Sequence, residues 1–117
     1  MIGTGGEDTR ILVVEDDGII AFDMVSRLEK LGYGVVSIAA TGADAIRRAE
    51  ELRPHLVFMD ITLMGDMDGI EAAKIIRDRF GSRIVYVTGH SDPSIKNRAM
   101  ATSPARYILK PYTTADL

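Results

Sequence analysis

Apolar and polar residues follow one another along this chain in blocks that predict alternating strands and helices. Short, continuous apolar blocks rich in β-branched residues are typical of parallel strands buried on both faces. They cover residues 11–14, 35–40, 55–60, 83–88 and 107–109. Apolar residues at helical spacing lie between these blocks. The alternation predicts an α/β fold with a doubly wound parallel sheet.

Helix boundaries carry their own signals. Asp68 followed by Glu71 is typical of a capping box, and Asp92–Pro93 of an N-cap with proline at the first helical position. Glycines 32 and 34 are expected to stop the first helix. That helix has a wide apolar face formed by Ile19, Ile20, Phe22, Met24, Val25 and Leu28, of which we expect Phe22, Met24 and Val25 to lie mostly in the core.

The two ends of the chain differ from the middle. Residues 1–9 are rich in glycine, threonine and charge, so we expect a flexible lead-in before a single domain over residues 10–117. At the other end, residues 113–116 begin a fifth helical pattern where the sequence stops. We therefore expect a truncated fifth helix, and one uncovered flank of the sheet unless a partner or a longer native chain covers it.

Composition narrows the class of protein. A chain of 117 residues fits one domain, and the lack of cysteine excludes disulfides and thiolate metal sites. The net charge of −3 provides no broad basic surface for nucleic acid or an anionic membrane. Apolar runs are too short for a membrane span, and no signal-peptide pattern begins the chain. We expect a cytoplasmic domain.

Polar side chains follow four of the predicted strands. Glu15 and Asp16 follow the first strand, Asp60 ends the third, Thr88 ends the fourth and Lys110 follows the fifth. Because ligands of parallel α/β sheets bind at the carboxyl ends of the strands, we expect these groups to converge. Three converging carboxylates repel one another and need a cation. Hard oxygen ligands without histidine or cysteine favour Mg²⁺, or a similar ion such as Mn²⁺.

The arrangement predicts transfer of a phosphoryl group onto Asp60. Lys110 would pair with the acceptor carboxylate and then with the phosphoryl group, and Thr88 would donate a hydrogen bond to a phosphoryl oxygen. Each residue alone has a simpler structural interpretation: acidic residues after strands cap helices, and Lys–Pro after a strand forms a turn. The combination, in this order and at these strand ends, is much harder to explain by chance.

Four sequence motifs resemble one known family. They are ILVVEDD (11–17), LVFMDITLMGDMDG (56–69), VTGHSD (87–92) and YILKPY (107–112). The chain resembles the receiver domain of two-component response regulators over residues 11–117. The resemblance implies a flavodoxin-like five-stranded sheet with strand order 2-1-3-4-5.

The resemblance also implies a chemistry and a set of ligands. A receiver accepts a phosphoryl group from the phosphohistidine of a histidine kinase, here onto Asp60. Asp16 would ligate Mg²⁺ directly and Glu15 through a metal-bound water. The backbone carbonyl of Thr62 would be the third protein ligand. A loop slightly longer than usual, with Gly65 in place of the common Met-Pro, affects the expected loop shape but not the expected activity.

Further roles follow from the same resemblance. Lys110 matches the family's lysine, Thr88 the switch hydroxyl and Tyr107 the aromatic switch residue, whose ring turns inward as the hydroxyl moves toward the phosphate. Expected partners are a sensor histidine kinase or phosphotransfer protein, docked along the first helix. The face of helix four and strand five would serve a homodimer or an output domain. We expect a signalling switch that catalyses its own phosphorylation and slow dephosphorylation, not a conventional turnover enzyme.

Other functions fit some of the same features. An aspartyl phosphatase of the haloacid-dehalogenase type shares the aspartate, Mg²⁺, lysine and hydroxyl, but it needs a second aspartate where this chain has Thr62. A phosphate-independent pseudo-receiver is disfavoured because every receiver position is filled. A flavodoxin-like flavin binder is disfavoured because residues 88–91 are too short for a flavin phosphate loop. His90 near the rim could tune water access or be a plain surface residue.

Overall fold

Five parallel strands form one sheet in the computed structural model, which describes residues 9–117. The strands are β1 (Arg10–Val14), β2 (Gly34–Ala39), β3 (Leu56–Met59), β4 (Arg83–Thr88) and β5 (Arg106–Leu109). Their order in the sheet is β2-β1-β3-β4-β5, so the predicted fold and strand order are confirmed. The predicted lead-in over residues 1–9 lies, apart from Thr9, outside the described residues.

Four helices connect the strands. They are α1 (Gly18–Lys30), α2 (Gly42–Leu52), α3 (Gly69–Phe80) and α4 (Pro93–Met100). The predicted capping box is confirmed at the start of α3, where the side chains of Asp68 and Glu71 each accept from the other's backbone N–H. The prediction for α4 is also confirmed, since Asp92 accepts from the amide of Ser94 and Pro93 is the first helical residue. No helix among residues 9–117 is long and apolar enough to cross a membrane.

The two faces of the sheet bury separate cores. Helices α2, α3 and α4 cover one face, over a core that includes Leu12, Val14, Val57, Met59, Ile76, Ile84 and Tyr86. Helix α1 and the C-terminal segment cover the other, over Ile11, Val13, Met24, Leu28, Phe58, Val85 and Val87. Alternating residues of β1 point to opposite faces, as the period of a strand requires. Both cores hold the strand ends of the site in fixed register.

Two residues of the predicted apolar face of α1 point outward. Ile19 is 83% exposed and Phe22 is 74% exposed, whereas Met24 and Leu28 are buried. The prediction that Phe22 packs in the core is therefore wrong, and Ile19 of the same apolar face is exposed as well. Helical spacing shows which apolar residues share one side of a helix. The part of α1 that faces the sheet is too narrow to bury all six residues of the predicted apolar face. An apolar surface remains beside the carboxyl ends of the strands.

The glycines after α1 and the end of the chain also differ in detail from prediction. Gly32, with φ of +93°, makes the turn after α1, but Gly34 is already the first residue of β2. The predicted start of a fifth helix is a 3₁₀ turn, Thr114–Asp116. Near it, the sheet face under α1 keeps a groove of about 390 Å³ lined by Tyr33, Leu56, Phe58, Arg83, Val85, Ala105, Arg106 and Leu117.

Candidate functional site

Strands β1 and β3 bring three carboxylates together at their carboxyl ends. The amide of Asp60 donates to the carbonyl of Val14 at 3.0 Å, so the two strand ends are in register. Carboxylate oxygens of Glu15, Asp16 and Asp60 lie within 4.8 Å of one another. Glu15 and Asp60 are only 4% and 8% exposed. Such a set of close, hard oxygen donors matches the ligands of Mg²⁺.

Lys110 completes this group, which we call the acceptor cluster (Glu15, Asp16, Asp60 and Lys110). Its Nζ lies 2.7 Å from Oε1 of Glu15 and 3.3 Å from Oδ2 of Asp60. The lysine is held in place because its amide donates to the carbonyl of Thr88 at the edge of β4. The sequence predicted pairing with Asp60, and the geometry adds a shorter contact with Glu15.

The electrostatics of this cluster are dominated by burial. Desolvation raises the pKa of Glu15 above its ordinary value, with a further contribution from the charge of Asp60, and the hydrogen bond from Lys110 opposes the shift only in part. For Lys110, burial works to lower the pKa, but the hydrogen bond to Glu15 and the charges of Asp60 and Glu15 outweigh it and raise the pKa. The lysine is therefore charged at neutral pH, and the carboxylates share one cation.

Helix α3 begins directly against Asp60. The amide of Gly69 donates to the carbonyl of Ile61 at 2.8 Å. A Cβ atom at position 69 would lie 2.0 Å from the backbone oxygen of Asp60. Only glycine allows this approach, so the start of α3 packs directly on the backbone of Asp60.

The loop after β4 reaches back toward the acceptor. Thr88 is fully buried, and its hydroxyl accepts from the amide of His90 at 3.3 Å. The His90 ring nitrogen Nε2 contacts the Thr62 hydroxyl. Thr62 also directs its amide at Oδ1 of Asp60, at a long 3.4 Å. His90 and Thr62 thus bridge the two loops beside the acceptor.

Tyr107 lies on β5 next to this bridge. Its hydroxyl donates to the backbone carbonyl of His90 at 2.9 Å. The ring is partly buried, with its centroid 6.1 Å from that of Tyr86 and Nζ of Lys96 5.6 Å from its own centroid. Burial raises the pKa of the Tyr107 hydroxyl. The hydroxyl therefore remains a hydrogen-bond donor at neutral pH.

A second polar group lies deeper, under α4, and we call it the tyrosine cluster (Tyr86, Thr102, Ala99 and Arg77). The Tyr86 hydroxyl lies 2.7 Å from the hydroxyl of Thr102, which itself lies 2.6 Å from the carbonyl of Ala99. Arg77 of α3 donates to the carbonyl of Thr102. Tyr86 is fully buried, and burial raises the pKa of its hydroxyl. This group joins β4 to the ends of α3 and α4.

An apolar groove opens beside the acceptor cluster. It has a volume of about 470 Å³ and is lined by Ile19, Ile20, Asp23, Arg27, Lys110, Pro111 and Tyr112. The exposed side chain of Phe22 lies on the same helix. Lys110 therefore contacts both the carboxylates and the groove.

The structure brings the six side chains that the sequence singled out to this end of the sheet: Glu15, Asp16, Asp60, Thr88, Tyr107 and Lys110. For Thr62 the sequence named the backbone carbonyl, and the structure adds contacts of its amide and hydroxyl. Sequence reasoning found His90 near the rim but missed its partners. The available signal was that His90 and Thr62 each come two residues after a polar strand end.

Comparison with known proteins was made on this geometry. A family model described as the response regulator receiver domain matches residues 11–117. The transcriptional regulatory protein PdtaR of Mycobacterium tuberculosis is 35% identical over 108 residues, which cover 92% of this chain and 52% of that protein. This chain thus spans about half the length of the curated relatives it matches.

Solved structures agree with the sequence matches. The signal receiver domain of a modulated diguanylate cyclase from Desulfovibrio desulfuricans superposes with a TM-score of 0.85 at 33% identity, covering 91% of this chain and 84% of that one. The response regulator domain of Thermotoga maritima CheB superposes with a TM-score of 0.81 at 28% identity, covering 91% and 81%.

Proposed function

This chain belongs to the response regulator receiver domains, which are switches of two-component signalling, and we propose that Asp60 is its phosphoacceptor. The observation that carries the proposal is the acceptor cluster. Asp60 stands at the end of β3 with two further carboxylates within 4.8 Å and the Lys110 ammonium 3.3 Å away. The nearby ammonium stabilises the charge of this carboxylate and can also donate hydrogen bonds to an incoming phosphoryl group.

The same residues suit Mg²⁺ or Mn²⁺. Asp16, which is partly exposed, would bind the ion directly together with Asp60, and the backbone carbonyl of Thr62 would add a third ligand. Glu15, engaged by Lys110 and by the amide of Asp17, would act through a water. When bound, the ion would neutralise negative charge on the carboxylates and on the phosphoryl oxygens.

The transfer step follows from these positions. An Asp60 carboxylate oxygen forms a bond to phosphorus while the bond from phosphorus to the donor imidazole nitrogen breaks, leaving its electron pair on that nitrogen. Lys110 stays within reach of both Glu15 and the acceptor, so its charge offsets the new negative charge. Thr88, at the end of the neighbouring strand β4, would donate a hydrogen bond from its hydroxyl to a phosphoryl oxygen. The protein's contribution is positioning and charge stabilisation.

The phosphoryl group would act on a two-state element. If the Thr88 hydroxyl moves to a phosphoryl oxygen, it no longer accepts from the His90 amide. The Tyr107 hydroxyl donates a hydrogen bond to the backbone carbonyl of the same residue, His90. Phosphorylation would thereby bias the β4–α4 loop and the Tyr107 ring between two arrangements. The domain would remain a switch that catalyses its own phosphorylation and slow dephosphorylation.

Two surfaces suit the expected partners. The exposed Ile19 and Phe22, with the groove that reaches Lys110, offer an apolar site for a sensor histidine kinase or phosphotransfer protein next to the acceptor. The α4–β5 face exposes Met100 and Leu109, 48% and 46% accessible, and suits a homodimer or an output domain. Neither role needs contact with nucleic acid or a membrane, and a cytoplasmic location fits a kinase partner.

Intact mass after incubation with acetyl phosphate tests the acceptor. Wild type with Mg²⁺ should gain roughly 80 Da, the mass of one phosphoryl group. The gain should be lost without Mg²⁺ and in Asp60→Asn, because the acceptor oxygen or its neutralising ion is missing. Asp66→Asn, an exposed aspartate in the same loop, is the matched control and should be labelled normally. Equal labelling of wild type and Asp60→Asn would contradict the proposal.

Phosphotransfer from a histidine kinase tests the docking surface. Phe22→Ser should slow transfer from the kinase but leave labelling by acetyl phosphate unchanged, since the small donor needs no docking. Because Phe22 is exposed, we expect stability to change by less than about 0.5 kcal/mol. Met100→Ser on the α4–β5 face is the control. Equal transfer rates in both variants would place the kinase elsewhere.

A further inference from the structure

His90 is held by three elements through three different groups. Its amide donates to the hydroxyl of Thr88, and its carbonyl accepts from the hydroxyl of Tyr107. Its ring nitrogen Nε2 contacts the hydroxyl of Thr62. The strands or loops that carry these partners lie side by side, because β3, β4 and β5 are neighbours in the sheet.

The side-chain contact joins His90 to the acceptor. Thr62 lies two residues after Asp60 and directs its amide at the acceptor carboxylate, so a change at Asp60 also reaches the Thr62 side chain. The contact with His90 works in either ring tautomer, because a hydroxyl both donates and accepts. Among residues 9–117, the Thr62 hydroxyl is the only side-chain group that hydrogen-bonds to the His90 ring.

The main-chain contact joins His90 to the aromatic residue. The Tyr107 ring is partly buried between Tyr86 and Lys96. Among the described residues, its hydroxyl hydrogen-bonds only to the His90 carbonyl. Gly89, immediately before, is exposed, and a Cβ there would contact nothing within 4 Å. Besides Tyr107 itself, the side chains of Thr88 and Thr62 hydrogen-bond to His90, through its amide and its ring.

We propose that the Thr62–His90 contact is a positioning device that sets where the Tyr107 hydroxyl is held and couples it to the acceptor loop. The inference rests on the proposed function for the phosphorylation signal, whereas the Thr62–His90 contact itself does not depend on phosphorylation. When Thr88 turns to a phosphoryl group, the Thr62 contact is the remaining side-chain restraint on the His90 loop. Losing it would free Tyr107 from the acceptor without removing any group that binds the phosphoryl group.

Fluorine NMR of protein labelled with 3-fluorotyrosine measures the Tyr107 environment directly. The chain has four tyrosines, and Tyr107→Phe assigns the Tyr107 resonance. In unphosphorylated Thr62→Val and His90→Ala, we expect this resonance to move toward the position of a solvent-exposed tyrosine. Thr62→Ser keeps the hydroxyl and should restore the wild-type position. His55→Ala, the other histidine, lies before β3 at the opposite end of the sheet and should leave the resonance unchanged.

The double variant and phosphorylation complete the test. Thr62→Val with His90→Ala should shift the resonance no further than either change alone, since both remove one contact. With acetyl phosphate and Mg²⁺, His90→Ala should gain the phosphoryl mass yet lose most of the wild-type change at Tyr107. An unchanged Tyr107 resonance in Thr62→Val, or additive shifts in the double variant, would overturn the inference. Absence of the mass gain in wild type would instead contradict the proposed function, and the unphosphorylated spectra would still decide the inference.

Discussion

The acceptor cluster and the tyrosine cluster are both groups of polar side chains packed around the same sheet, but they differ in charge. In the tyrosine cluster, neutral hydroxyls and one guanidinium group meet hydrogen-bond partners of opposite kind. In the acceptor cluster, three carboxylates face a single ammonium group. None of the buried side-chain nitrogen or oxygen atoms among residues 9–117 lacks a hydrogen-bond partner. The difference therefore lies in unbalanced charge and not in missing hydrogen bonds.

This contrast separates what holds the fold from what performs chemistry. A satisfied neutral network stabilises a fold, because breaking it leaves a buried polar group unpaired. Crowded like charges cost stability, and a fold keeps them where an ion or a charged substrate will relieve them. Two substitutions, one in each cluster, test this contrast, because they should differ in how much stability they cost and in whether Mg²⁺ restores it.

The larger effect should come from Lys110→Ala. Removing the ammonium leaves Glu15 and Asp60 buried without their cation, and we expect a loss on the order of 2–3 kcal/mol in the free energy of unfolding without Mg²⁺. Adding Mg²⁺ should restore part of that loss, since the ion neutralises the same carboxylates. Some phosphorylation should remain, but the response at Tyr107 should be lost. Chemical denaturation with and without Mg²⁺, alongside labelling, measures all three.

The control for Lys110→Ala is Lys74→Ala, which removes an exposed lysine on α3. It should change stability by less than about 0.5 kcal/mol, with or without Mg²⁺. A normal conformational response in Lys110→Ala would show that the lysine does not couple the acceptor to the switch.

The smaller effect should come from Tyr86→Phe. Losing one buried hydrogen bond should cost about 1 kcal/mol, insensitive to Mg²⁺ and without effect on phosphorylation. Burial raises the pKa of Tyr86 above its ordinary value of 10.0, so the folded state keeps the proton longer than the unfolded state. Wild type should therefore lose stability as the pH rises above that value, and Tyr86→Phe should lack this contribution. The difference between them should shrink as the pH rises through about 10, where the tyrosine of the unfolded state loses its proton.

Denaturation curves across this pH range, with Tyr33→Phe as the partly buried control, measure the tyrosine effect. A constant difference between wild type and Tyr86→Phe would mean that the buried hydroxyl does not titrate with unfolding. A dependence on Mg²⁺ would mean that the two clusters are coupled, and the contrast between them would be wrong.

The sequence predicted the sheet and the residues of the acceptor cluster because both depend on local patterns. A continuous apolar run ending in Asp60 specifies a buried strand and the rim where its last residue lies. The preference of Lys110 for Glu15 over Asp60 depends on side-chain reach between strands, which no local pattern records. The contact of Tyr86 with Thr102, 16 residues away, was missed for the same reason. A tyrosine within a strand buried on both faces was the available hint that its hydroxyl needs a partner.

The errors on α1 have a different origin. Helical spacing identified Ile19 and Phe22 as apolar neighbours of Met24 and Leu28 but could not show how wide a stripe the sheet would cover. Ile19 lines the groove that reaches Lys110, and Phe22 lies one turn further along the same helix, so the failed core prediction coincides with the surface proposed above for a partner.

Lys110 lies 95 residues from Glu15 and 50 residues from Asp60 along the chain. A ribosome adds about 5–20 residues per second, so roughly 3–10 s separate the synthesis of the acceptor from that of its lysine. Until β5 has joined the edge of the sheet, a growing chain carries the aspartate without the ammonium that prepares it for transfer. If Asp60 is the phosphoacceptor, a nascent or prematurely terminated chain without β5 should resemble Lys110→Ala: it could still take up some phosphoryl groups but could not pass the signal on to Tyr107.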